Sequence, residues 1–162
     1  MFSDKETLLQ LLTYLVSGTL ATVGFGMLYR IRLRRLPLSV LGAGIAVFVW
    51  FTFLYYSKNV FVSNMIAAMV GTLYAEIAAR ISKAPTTIYL IPSVIPLVPG
   101  GDLYYTMAGI VRSDFGAFNE HGRQTLIIAL GIAVGIVIVT SVFGMLGSHK
   151  KPGGSLRRKR GQ

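Results

Sequence analysis

The chain has 162 residues, of which 53% are apolar and 14% charged, against roughly 25% charged in soluble domains. A mean hydropathy of +0.62 argues against a soluble globular domain and against a disordered chain. The net charge of +10 sets a nucleic-acid binder against a membrane protein, and the placement of the Lys and Arg residues decides between them.

A bilayer-spanning helix takes about 20 mainly apolar residues. The sequence predicts spans near 8–29, 36–56, 60–79, 86–111 and 125–146 within a membrane domain 1–146, followed by a basic tail 147–162. The first span is preceded by Asp4, Lys5 and Glu6 and followed by a basic cluster. That polarity is opposite to a cleaved signal, so a retained helix with its N-terminus outside is expected. The second span ends in the aromatic run Trp50, Phe51, Phe53, Tyr55 and Tyr56. With Tyr29, the tyrosines fit interfacial belts.

The third span carries Ser63, Asn64 and Glu76. Asn64 is expected to bridge helices rather than bind ligand. Glu76 precedes Arg80 by four, a favourable helical spacing. An interfacial ion pair and a proton carrier or gate are both open readings for it. Small residues form stripes: Gly18, Thr22 and Gly26 in the first span, Ala67, Gly71, Ala75 and Ala79 in the third, Gly131 and Gly135 in the fifth. Such faces let membrane helices approach, within the chain or against a partner.

The fourth span is interrupted by Pro92, Pro96, Pro99, Gly100 and Gly101. Each proline removes a backbone donor and disfavours helix before it. Irregular backbone at membrane depth is tolerated where it lines a cavity, which makes the break a pointer to a transport pathway. A kink that only shapes packing is the alternative. Asp102 is placed to N-cap a second half-helix from Leu103, whose first amides would face the break and receive a carboxylate. The predicted substrate-binding residues are Pro92, Ser93, Pro96, Pro99, Gly100, Gly101, Asp102 and Tyr105. Asp102 is either a cap near the outer interface or a group that binds a substrate ammonium or a coupling proton.

No enzyme, cofactor or metal site is expected. Cysteine is absent, and the two histidines, His121 and His149, lie in polar surroundings. The tail is predicted to be disordered and held on anionic lipid. It has no aromatic interleaving, so nucleic acid is not an expected partner. If all five segments cross with the N-terminus outside, twelve of the sixteen Lys and Arg are cytoplasmic. If the broken segment does not cross, eight lie on each side. The positive-inside rule favours five crossings, N-out and C-in.

The run Ile91–Gly101 followed by Leu103-Tyr-Tyr-Thr-Met resembles the signature of the threonine/serine exporter family, and Val23–Tyr29 and Met69–Thr72 are similar to its small, YjjB-like subunit. The resemblance implies an all-α integral membrane protein of the cell inner membrane, exporting threonine and serine or dicarboxylates such as succinate. It also implies a larger partner subunit with a cytoplasmic domain, so that two inverted five-helix units would work by alternating access. Self-association into a homo-oligomer is a further expectation, and a non-transporting membrane scaffold is the alternative reading.

Overall fold

The computed structural model describes residues 5–32 and 34–148. Every element is helical: α1 (Lys5–Leu28), α2 (Leu36–Ser57), α3 (Val60–Ser82), α4 (Thr87–Val94), a 3-10 turn (Ile95–Leu97), α5 (Gly100–Val111) and α6 (Phe115–Ser148). The result is the expected all-α membrane fold with an interrupted fourth span. The basic tail from residue 149 onward lies outside the described residues.

Local chemistry sets the boundaries. Pro37 starts α2, where a missing N–H costs nothing. Lys58 ends it in the left-handed region at φ 50°, and its amide donates to the Leu54 carbonyl at 3.0 Å. Asn59 then caps α3, its side-chain oxygen accepting from the Val62 amide. Lys83 ends α3 in the same left-handed way, at φ 47°. Asp114 Oδ1 accepts from the Gly116 and Ala117 amides, both at 3.1 Å, and so starts α6 at Phe115. The sequence pattern placed that start ten residues later, because residues 115–124 are polar.

The interior is built from small residues. Ala43, Ala46, Ala67, Ala68 and Ala75 are fully buried, while Leu20, Met27, Leu130 and Val137 face outward. This distribution suits helices that approach closely and present large apolar chains to lipid. A Cβ on Gly131 would stand 2.8 Å from the Phe61 carbonyl oxygen, and one on Gly135 would stand 2.5 Å from that of Met65. Gly18 packs on Val47 and Pro96. Gly71 has only ordinary contacts, at 3.4 Å to Ala46 and 3.6 Å to Ser93. Two tighter positions, Gly42 against Tyr74 and Gly109 against the Phe118 backbone, escaped the stripe argument.

These contacts also give helix direction. Gly131 meets Asn64 and Gly135 meets Ala68, so α3 and α6 run parallel. The chain leaves the far end of α3 and must return to its near end before α6 begins. The segment 87–111 makes that passage, as α4 and α5 inclined at 59° about the break. The first half, α4, packs on α2 and α3, whereas α5 packs on α6. Helix α6 outruns the start of α3 by about three turns, roughly 18 Å, and α5 lies antiparallel against that extension.

The prolines of the break leave carbonyls without their usual donors. Pro92 cannot donate to Ile88, nor Pro96 to Pro92. Neighbouring helices supply hydroxyls instead. Ser39 Oγ of α2 donates to the Ile88 carbonyl at 3.2 Å. Thr22 Oγ1 of α1 lies 3.4 Å from the Pro92 carbonyl and shares its proton with Gly18, at 2.8 Å. Both hydroxyls are buried, and this is how an interrupted helix is accommodated where water is scarce.

Candidate functional site

The turn from the first half-helix to the second is tight. Pro99 has φ −77° and ψ 61°, and the Gly100 amide donates to the Val98 carbonyl at 2.8 Å. This is an inverse γ-turn. The first bond of α5 then runs from the Leu103 amide to the Pro99 carbonyl. The amides of Gly101 and Asp102 have no hydrogen-bond partner among the described residues. They are the free donors at the start of α5, and Gly100 is not one of them.

Asp102 is not the N-cap expected from the sequence. The helix starts three residues earlier than Leu103, because Pro99 turns the chain and Gly100 already has helical geometry. Asp102 therefore occupies the first turn, where a carboxylate interacts favourably with the helix dipole. Its Oδ1 lies 2.9 Å from Nδ1 of His121 on α6. Tyr105, one turn on, stacks on the His121 ring at 5.0 Å between centroids. His121, placed in polar surroundings by the sequence reading, is thus a member of the site. The Asp114 cap was the signal that could have found it, since a helix starting at Phe115 carries His121 toward α5.

The break opens on a cavity of about 480 Å³. The backbone from Pro96 to Asp102 forms one wall, Tyr105, His121 and Gln124 the second, and Tyr14, Trp50 and Asn64 the third. Tyr14 and Trp50 meet edge to face at 5.4 Å. A Cβ on Gly100 or Gly101 would meet nothing within 4 Å, so these glycines keep the cavity side of the helix start open. Asn64 does not bridge helices. Its Nδ2 donates within α3 to the Val60 carbonyl at 2.8 Å, and the residue lines the cavity.

Of the eight residues proposed from sequence to bind substrate, Pro96, Pro99, Gly100, Gly101, Asp102 and Tyr105 line this cavity. Pro92 and Ser93 lie instead in the buried seam with α2 and α3, where Ser93 donates to the Tyr89 carbonyl at 2.7 Å. Glu76 is elsewhere, about 18 Å along α3 from Asn64. Its carboxylate lies 3.9 Å from Arg80 Nε, and the Arg80 guanidinium sits 4.7 Å over the Phe143 ring. Among the described residues, no cluster of three metal-ligating side chains occurs.

An all-helical bundle with membrane-length spans and one interrupted helix opening on a polar-edged cavity defines a multi-pass membrane protein of the discontinuous-helix kind. The particular family follows from comparison. The chain matches the model of the threonine/serine exporter family, ThrE, over residues 14–142, and it belongs to that family of transporters. No solved structure matches the chain.

Proposed function

We propose that this protein is a subunit of a secondary exporter that moves small α-amino acids such as threonine and serine through the cavity at the helix break. The observation carrying this reading is the pairing of two free amides, Gly101 and Asp102, with the Asp102–His121 couple at one cavity wall. A zwitterion suits that wall: its carboxylate meets the amides and the dipole of α5, and its ammonium meets Asp102. The lining holds one carboxylate, one imidazole and no Lys or Arg. A dicarboxylate would set a second negative charge against Asp102 without a basic side chain to receive it.

Rocking of this unit against a larger partner subunit would give alternating access, the usual arrangement of two repeats around a midplane site. The positive-inside count orients the Arg30–Arg35 end toward the cytoplasm of the inner membrane and opens the cavity to the other side. The test is counterflow of labelled threonine, serine and succinate in liposomes holding the reconstituted pair. Asp102→Asn is expected to lower threonine counterflow at least tenfold. Succinate transport that exceeds threonine transport, or an Asp102→Asn protein that transports normally, would refute the assignment. Activity from this chain alone would remove the partner.

A further inference from the structure

The end of the bundle opposite the cavity carries a second built site. Arg30, Arg32 and Arg35 from the α1–α2 connection and Lys83 from the α3–α4 connection line a basin of about 440 Å³. Among the described residues, none of these four has an ion-pair partner, and the acid of this half, Glu76, is taken by Arg80. The connections are pinned. The Arg30 and Ile31 amides donate to Met27 and Gly26, and the Ala84 amide to Ala79. Arg30 and Lys83 both hold left-handed backbone, at φ 52° and 47°. Four cations without ion-pair partners among the described residues, carried on hydrogen-bonded connections around one concavity, call for an anion.

A second concavity adjoins the first. Tyr29, Ile31 and Ile88 are shared walls, and beyond them Thr87, Ile91 and Pro92 complete an apolar groove of about 150 Å³ between the end of α1 and α4. Ile91 is 40% exposed there. Basin and groove together match a molecule with an anionic head and an apolar chain. A free anion would need only the basin.

We propose that this end of the protein binds an anionic phospholipid, with the phosphate in the Arg30/Arg32/Arg35/Lys83 basin and the start of an acyl chain along Ile31, Ile88 and Ile91. Basic pockets between membrane helices are the usual hosts of such headgroups. The site touches the first turn of the broken element through Thr87 and Ile88, so an occupying lipid would brace α4 where it enters the bundle.

The test is native mass spectrometry of the detergent-purified protein titrated with phosphatidylglycerol or phosphatidylcholine. The wild type is expected to retain phosphatidylglycerol preferentially. Lys83→Gln should weaken that preference about fivefold, and Arg32→Gln/Arg35→Gln about thirtyfold, at about fivefold per charge. Ile91→Ser should weaken phosphatidylglycerol binding without changing the affinity for inorganic phosphate. Far-UV circular dichroism reports whether each variant folds. If the double variant does not, Lys83→Gln decides, because its side chain is exposed beyond a helix end. Equal retention of both lipids, unchanged preference in folded Lys83→Gln, or displacement of phosphatidylglycerol by inorganic phosphate at matching concentration would overturn the proposal. The last result would mark a free-anion site.

Discussion

Ser39 and Pro92 should be energetically coupled although their side chains do different jobs. Pro92 denies the Ile88 carbonyl its helical donor, and Ser39 Oγ supplies a replacement at 3.2 Å. Replacing Ser39 by Ala orphans a carbonyl in a buried seam. An orphaned buried group costs about 1–3 kcal/mol in water-soluble proteins, while interhelical hydrogen bonds within membranes average about 0.6 and reach about 1.7 kcal/mol. The membrane range governs here, so Ser39→Ala should cost about 1 kcal/mol. In a Pro92→Ala background the new amide can donate to Ile88, and the same Ser39→Ala change should then cost close to nothing. Coupling of about 1 kcal/mol is expected from the double-mutant cycle, in which the packing lost with the Pro92 ring cancels. Reversible unfolding in mixed micelles by added dodecyl sulfate, followed through the single tryptophan, Trp50, measures each corner. An identical cost in both backgrounds, within about 0.3 kcal/mol, would refute the idea that the hydroxyl stands in for the missing amide.

The glycines should divide into two groups by the same unfolding assay. Gly135→Ala puts a Cβ against the Met65 carbonyl and should cost about 1–3 kcal/mol, while Gly71→Ala, in ordinary contact distance, should cost well under 1 kcal/mol. Equal costs would mean that the α3–α6 seam relaxes freely. Gly101→Leu enters open space, so its unfolding midpoint should match wild type while threonine counterflow by the reconstituted pair falls at least tenfold. Normal counterflow would place the substrate path away from the break. His121→Ala removes the Asp102 partner and the Tyr105 stack. It should alter apparent threonine affinity in counterflow more than it alters the unfolding midpoint. The reverse would make the Asp102–His121 pair a packing element.

The membrane class and the broken fourth span were legible because long apolar runs and Pro-Gly clusters act locally. No other feature of the sequence is needed to see that three prolines in eight residues cannot form an unbroken helix. The charge count favours a crossing by the broken segment, and the parallel run of α3 and α6 requires the chain to return along the bundle between them. Less legible was anything depending on where α6 starts. Residues 115–124 are polar, and their helical state follows from the Asp114 cap and from α5 lying alongside, a tertiary effect. His121 was therefore not connected to Asp102. Asp102 itself was read as a cap because Asp favours that position. The γ-turn at Pro99 took the helix start three residues earlier. Gly42 and Gly109 stand outside the small-residue stripes: Gly42 is closed in by the Ser93 and Tyr74 side chains, and Gly109 by the backbone of Asp114 and Phe118. Thr22 was read only as a small residue. Its hydroxyl acquires a second role from a carbonyl seventy residues away, which spacing along the chain cannot reveal.

The unequal anchoring of the broken element has a mechanical consequence. One half is clasped by α2 and α3, the other by α6, and only the residues around Pro99 join them. The molecule is thus a block from which α5 projects as an arm alongside the first turns of α6. The arm is joined to α4 by the single tight turn at Pro99, while α6 itself is held on α3 by a close Gly and Ala seam. Helix α5 is a lever of about 18 Å, so a swing of about 10° moves its far end about 3 Å while Gly101 and Asp102, beside the pivot, move by much less. Motion at the periphery can therefore change the cavity mouth while the two amides stay nearly fixed in place.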